Sequence, residues 1–190
     1  MLKKLILSFV ALPFFVFANE GAESTSKNDE NTGIWQGIKN TLSETWNSDK
    51  YELYIPANTW HNRATYDRDK IDSYNERPWG IGAGVYRFDK DGDWHALYIM
   101  EFQDSHNVIE PIGGYAYQTY WRPGNSDKWR IGIGYTLSIT ARKDYNWIPF
   151  PAPLPLFSIE YDRLSIQSTY VPGVKRNTGN ILFTWLRWQL

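Results

Sequence analysis

From Tyr51 to the C-terminus the chain alternates apolar and polar residues with a period of two. The clearest run is Trp129 to Arg142, where Trp129, Ile131, Ile133, Tyr135, Leu137, Ile139 and Ala141 share one face. Arg130, Gly132, Gly134, Thr136, Ser138, Thr140 and Arg142 share the other, the pattern of a strand with two chemically different faces. Similar alternation, or short apolar stretches bounded by turn residues, occupies Tyr51 to Trp60, Trp79 to Phe88, Trp94 to Phe102, Pro111 to Trp121, Leu156 to Tyr161, Leu164 to Val171 and Asn180 to Leu190. The pattern predicts about eight strands, with a tight turn at Lys90-Asp91-Gly92-Asp93. Ahead of them the period changes. Ile34, Trp35, Ile38, Leu42 and Trp46 recur at spacings of three and four, opposite Lys39, Asn40, Ser43 and Glu44, which predicts a short amphipathic helix over residues 34–48.

The first residues read as an export signal. Lys3 and Lys4 precede an apolar run from Leu5 to Phe17, and Val16-Phe17-Ala18 suits cleavage. The expected organisation is a signal peptide over 1–18, a polar linker over 19–33, the helix over 34–48 and the strands over 49–190. No segment has the roughly 18 apolar residues that a spanning helix needs, so any insertion in a membrane must use strands.

Alternation alone does not say which face points inward. A soluble barrel places its apolar face inside, and a membrane barrel does the reverse. Three features favour the membrane. Gly132, Gly134, Thr136 and Ser138 make a poor solvated surface and a sensible narrow lining. Trp79, Trp94, Trp121 and Trp129 fall at strand ends, where a membrane barrel has aromatic girdles. The chain also ends on a strand that alternates aromatic and aliphatic residues, although it closes on Leu190 where phenylalanine is commoner. Composition agrees: aromatic residues make up 17% of a chain whose mean hydropathy is −0.52, so its apolar residues must be concentrated on a few surfaces. The predicted fold is all-β, an eight-stranded antiparallel transmembrane barrel with an N-terminal amphipathic helix, exported to the outer membrane.

Absences narrow the function. There is no cysteine, so neither a disulfide nor a cysteine-linked lipid anchor is available. A net charge of −1 without a Lys/Arg run argues against nucleic acid. Seven of the ten prolines fall at Pro56, Pro78, Pro149, Pro151, Pro153, Pro155 and Pro172. Proline donates no ladder hydrogen bond, so these are places where inter-strand pairing must lapse, either to end strands or to give lipid tails a lateral way in.

Several stretches are specific. They are Tyr54-Ile55-Pro56-Ala57-Asn58-Thr59-Trp60-His61, Tyr74-Asn75-Glu76-Arg77-Pro78-Trp79-Gly80, Asp104-Ser105 followed by Glu110-Pro111-Ile112, Tyr120-Trp121-Arg122-Pro123, Ile148-Pro149 and Tyr170-Val171-Pro172-Gly173. In these, and in order from about Ile34 to Leu190, the chain resembles the PagP-type lipid A palmitoyltransferases. The resemblance implies an interior acyl-binding pocket and transfer of palmitate from the sn-1 position of a glycerophospholipid to a hydroxyacyl chain of lipid A in lipopolysaccharide. The expected assembly is a monomeric barrel without metal or organic cofactor. The resemblance also places the catalytic residues at His61, Asp104 and Ser105. Histidine is poised near neutral pH to take a proton from a hydroxyl, of Ser105 or of the acceptor, and Asp104 could orient it. Whether Ser105 forms an acyl intermediate stays open.

The family's pocket floor, typically glycine, falls on Ala116; Pro56, Pro78, Pro155 and Pro172 are the candidate lateral gate, on the ground of their missing donors. Lys175 stands where an aromatic residue is expected near that gate. His106 follows Ser105 directly and is a rival base, whereas His95 lies inside a strand. Residues 61–77 carry Arg63, Arg68, Lys70 and Arg77 among Asp67, Asp69, Asp72 and Glu76, and Lys70 and Arg68 are candidate contacts for lipid A phosphates. The competing reading is a non-catalytic small outer-membrane barrel, adhesive or structural, plugged by a charged network. A soluble periplasmic lipid-binding barrel is a third.

Overall fold

The computed structural model describes residues 28–126 and 128–190, so the signal peptide and residues 19–27 of the linker lie outside the described residues. A helix, α1 (Asn28–Trp46), opens the described chain. It begins six residues before the first apolar position of its period, because the hydrophobic pattern marks only the amphipathic part. Ile34, Trp35 and Ile38 are exposed on it. Two compact units result, one ending at Glu44 and a second, the barrel, starting at Thr45.

Eight antiparallel strands follow: β1 (Lys50–His61), β2 (Gly80–Phe88), β3 (Trp94–Gln103), β4 (Ile109–Trp121), β5 (Trp129–Thr140), β6 (Phe150–Tyr161), β7 (Leu164–Val171) and β8 (Ile181–Gln189). Each pairs with the next and β8 pairs with β1, so the sheet closes. Closure is what hydrocarbon demands, since an open edge would leave backbone groups unpaired where no water can reach them.

Burial along the strands settles which face is which. Gly132, Thr136, Ser138 and Thr140 of β5 are buried, while Trp129, Ile131, Ile133, Tyr135 and Leu137 are exposed. The same inversion holds in β6, where Leu156, Ser158 and Glu160 are buried and Phe157, Ile159 and Tyr161 exposed. An outer wall of this kind suits lipid and not water. The longer loops, at 62–79, 141–149 and 172–180, share one end of the barrel with the 104–108 turn, and this is the outer end by the usual asymmetry of such barrels. Trp60 and Trp79 are exposed there, and Trp121, Trp129 and Trp188 at the inner end.

Two differences from the sequence pattern matter. First, β6 begins at Phe150, not at Leu156: Pro151, Pro153 and Pro155 sit inside it, paired in register with Ile139, Leu137 and Tyr135 of β5. Successive residues of a strand aim their polar groups at opposite neighbours. The Ala152 carbonyl turns to β5, accepting from Ser138 Oγ, while that of Pro155 turns to β7, accepting from Thr169 Oγ1 at 2.6 Å. Prolines at alternate positions thus remove donors only on the β7 side. There, β6–β7 pairing stops at Leu156↔Thr169, leaving residues 150–155 without a β7 partner. A matching gap lies between β1 and β2, whose pairing stops at Tyr54↔Gly82. Both gaps are in the outer half.

Second, the interior is layered. Glu52, Glu160 and Arg187 are fully buried in the inner half. Arg187 bonds Glu160, Arg130 bonds Glu160, Tyr54 bonds Glu52, and Arg187 lies over the Trp94 ring. A charged plug, expected only of a non-catalytic barrel, therefore fills this end. Gly132 lies beside the layer next to it: a Cβ there would lie 2.4 Å from Ser158 Oγ and 3.1 Å from Gln118 Nε2, so the glycine makes room for the barrel's own side chains and not for a ligand. Above the plug Gln118 accepts from Gln167 at 2.9 Å and from Ser158 at 3.1 Å.

Removing one partner of a buried charge network leaves the others uncompensated. Arg187→Met should therefore destabilise the barrel by about 3–5 kcal/mol, measured by urea unfolding in lipid vesicles. A loss under about 1 kcal/mol would show that the plug tolerates bare carboxylates.

Candidate active site

His61 owes its inward direction to an irregularity. Along β1 the buried positions are Glu52, Tyr54 and Pro56, all even, and then Thr59 and His61, both odd. The register against β8 shifts between Pro56, opposite Trp185, and Asn58, opposite Thr184. This bulge at Ala57 adds one residue and flips the face of all that follows. His61 is thereby the last residue of β1 rather than the first of the loop, and it is 1% exposed.

Ser105 arrives from the β3–β4 turn. Asp104 precedes it, and its Oδ1 accepts from the His106 and Val108 backbone N–H groups, both at 2.8 Å, while Asn107 takes a positive φ of 63°. The turn is fixed by its own carboxylate, and the result is a distance of 3.0 Å between Ser105 Oγ and His61 Nε2. Ser105 and Asp104 are both buried.

The other side of the imidazole is held by a residue that the sequence pattern left among the loop charges. Glu76 Oε1 lies 3.1 Å from His61 Nδ1 and accepts from the His61 backbone N–H at 3.0 Å. Arg63 grips the same carboxylate with two bonds of 2.6 Å. The backbone explains why Glu76 is there. Its carbonyl accepts from Thr59 N–H at 3.0 Å, beside the unpaired stretch of β1, and Asn75 N–H donates to the Ser105 carbonyl at 2.9 Å. Tyr74 and Tyr66 flank the ring, with centroids 4.8 and 5.0 Å away. Each of Tyr74, Asn75 and Glu76 thus touches His61 or the serine turn. The motif was visible in the sequence; that its acid reached the histidine was not, because four acids share that loop.

Asp104, the expected orienting acid, makes no hydrogen bond to His61 among the described residues. Its other neighbours are Arg142, 3.9 Å away, and His106, 3.8 Å away. His106 is half exposed and packs edge-on to Tyr74, away from any hydrogen bond to Ser105 among the described residues. Asp104, His106 and Asp144 offer ligand atoms within 4.8 Å of one another, but the Arg142 guanidinium beside them already supplies positive charge.

The remaining candidates are spread more widely. Arg68 and Lys70 belong to a short helix, α2 (Arg68–Asp72), and are exposed without an ion pair among the described residues. Lys175 is exposed in the 172–180 loop, beside Arg176, which holds Asp67. Pro56 flanks the β1–β2 gap, with Pro78 just before β2; Pro155 and Pro172 flank the β6–β7 gap. Ala116 faces inward at mid-depth, between Ala96 and Thr136 on its neighbours and among Tyr54, Tyr98, Met100, Leu156 and Trp185. His95 faces outward on β3, 2.7 Å from Tyr115 Oη and 3.2 Å from Asp89.

The Arg63 fork holds the Glu76 carboxyl down at about 2, helped by the hydrogen bonds from His61. A depressed carboxyl stabilises the fold fully above its ordinary value of 4.5, and that contribution is lost as pH falls from there towards 2. Asp67, lowered by Arg176 and Asn177, acts with the same sign. Amide hydrogen exchange in residues 62–79 should therefore be protected to the same degree, after correction for intrinsic rates, from neutral pH down to about 5, and less so below it. Glu76→Gln should shrink this step. Loss of protection already at pH 6 would contradict it.

Comparison with known proteins gives the same answer along the whole barrel. A profile of the family described as "Antimicrobial peptide resistance and lipid A acylation protein PagP" matches residues 41–187. Proteins named Lipid A acyltransferase PagP are similar throughout. That of Laribacter hongkongensis is 61% identical over 158 residues, 83% of this chain and 75% of the relative. That of Serratia proteamaculans is 55% identical over 185 residues, 96% and 92% of the two chains. That of Yersinia enterocolitica is 59% identical over 160 residues, 84% and 78% of the two chains. The matched span runs from α1 into β8 and includes the loops that carry Glu76 and Ser105, and the chain belongs to the PagP family of lipid A acylation proteins.

Proposed function

We propose that this chain is an outer-membrane acyltransferase that moves a palmitoyl or slightly shorter chain from the sn-1 position of a glycerophospholipid to a hydroxyacyl chain of lipid A. It works as a monomer without metal or organic cofactor. The observation that carries the reading is the 3.0 Å contact between Ser105 Oγ and His61 Nε2 at the outer rim, the spacing of a nucleophile and its base.

In this reading His61 Nε2 takes the proton of Ser105 as Oγ forms a bond to the ester carbonyl of the donor. The donor's ester C–O bond then breaks, and the departing lysophospholipid oxygen takes that proton back from His61. The acceptor hydroxyl repeats the cycle in reverse, giving its proton to His61 and attacking the acyl-serine, which leaves with the proton restored. Asp104 acts on the serine through the turn that it braces. The tails enter through the β1–β2 and β6–β7 gaps beside Pro56, Pro78, Pro155 and Pro172, where unpaired backbone borders the interior rather than lipid alone. Lys175 stands at the loop above the second gap. Arg68 and Lys70, exposed cations on the outer loop, meet the lipid A phosphates.

Ala116 sets how deep the chain reaches. It lies one inward position above Gln118, the first residue of the polar layer, so an acyl chain that passes it must meet hydrogen-bonded amides. A glycine at this depth would leave room for a full palmitoyl chain, whereas the methyl group shortens the space. One methylene of misfit in such a close-packed site is worth about 1 to 3 kcal/mol.

Three measurements test the reading. In a purified transfer assay with phospholipid and lipid A, Ser105→Ala and His61→Ala should each lose about 10³-fold or more, while His106→Ala keeps most activity. Without acceptor, the wild type should gain the mass of one acyl group at Ser105, and active variants at positions 61 and 105 would refute the mechanism. With donors of graded saturated chain length, Ala116→Gly should move the optimum up by about one methylene. An unmoved optimum would show that the floor lies elsewhere.

A further inference from the structure

We propose that Glu76 is the positioning residue of the catalytic histidine, completing a Ser105–His61–Glu76 relay at the outer rim in which Arg63 holds the carboxylate. The inference rests on the reading of His61 as base and adds to it the group through which that base works.

The geometry is that of a nucleophile, a base and an orienting acid in line. Ser105 Oγ is 3.0 Å from Nε2, and Glu76 Oε1 is 3.1 Å from Nδ1. An ionised carboxylate only accepts hydrogen bonds, so the Nδ1 that faces it must carry the hydrogen. Nε2 is then left with its lone pair directed at the serine hydroxyl, the tautomer that a general base needs. When His61 takes the proton, the positive charge on its ring lies against the same carboxylate, and this attraction grows as the transition state forms.

Glu76 cannot easily leave this position. The same oxygen accepts from the His61 backbone N–H at 3.0 Å, and Arg63 bonds both carboxylate oxygens and also the His61 carbonyl, at 2.9 Å. Arginine matches a carboxylate with two parallel bonds, which fixes orientation as well as charge. Tyr66 and Tyr74 pack against the imidazole and limit its rotation. The other acid near the site has a different task, because Asp104 is occupied by two backbone donors of its own turn. Two acids thus divide the work, Asp104 fixing the serine and Glu76 fixing the histidine.

The test uses the full-length barrel refolded in detergent, with phospholipid donor and lipid A acceptor. Glu76→Gln keeps the side chain's size and an oxygen that can accept from Nδ1, but removes the charge. It should lower kcat about 10²- to 10⁴-fold and leave KM for the phospholipid within about twofold, the mark of an interaction made in the transition state. Its heat-dependent gel mobility should be unchanged. Glu76→Asp, which keeps the charge, should recover part of the loss. If Glu76→Gln works within about threefold of wild type while Ser105→Ala and His61→Ala are inactive, the positioning role is wrong and the serine–histidine mechanism stands. If all three are active, the mechanism beneath it has failed as well. A nitrogen NMR measurement on the His61 ring of the wild type decides the point without any variant. A neutral ring with its hydrogen on Nδ1 supports the relay, and one with its hydrogen on Nε2 overturns it.

Discussion

Hydrocarbon has nothing to offer an unpaired N–H group, and this single constraint shapes the rest of the molecule. It closes eight strands into a ring and turns their apolar faces outward. It also makes the two places where the ladder lapses informative. At the β6–β7 gap the missing donors belong to Pro151, Pro153 and Pro155, spaced by two so that each faces the gap while β5 stays fully paired on the other side. The chain has removed the groups that would otherwise be stranded. What remains is a stretch of wall without ladder pairing, at little cost in unsatisfied backbone.

A barrel this narrow must also be filled, and the filling is divided by depth. The inner half holds the Glu52, Arg130, Glu160 and Arg187 network, whose Glu52, Glu160 and Arg187 side chains are fully buried. Above it comes the hydrogen-bonded layer of Gln118, Gln167 and Ser158, and then apolar side chains around Ala116. Seen from the outer side, the interior is apolar with a polar floor. The charged plug and the proposed acyl site are therefore not alternatives, because the plug leaves the apolar layer around Ala116 untouched.

How much of this was legible in the sequence depended on whether a feature is periodic. Strand number follows from alternation, which Gly132 to Thr140 displays plainly, and the inverted faces and the direction of Ala116 follow once the small-residue lining and the aromatic strand ends place the apolar face outward. The start of β6 did not, because proline ordinarily signals the end of a strand and only pairing with β5 shows otherwise. The direction of His61 was hidden by the one-residue bulge at Ala57, since strict alternation from Glu52 would point it at lipid. Glu76 was hidden for a further reason: its contact with His61 spans a 15-residue separation and depends on how the 62–79 loop folds back on β1. The motif that contains it was conspicuous as a stretch of sequence, but nothing in its spacing said which of its residues did chemistry.

The central claim is that the serine–histidine pair on the outer rim acylates lipid A. Mass spectrometry of lipid A from cells that produce the wild type, the Ser105→Ala variant or neither tests it most directly. One additional acyl chain, palmitoyl or slightly shorter, is expected on lipid A from wild-type cells only. Lipid A of identical mass in all three would contradict it, as would an added chain that persists with Ser105→Ala.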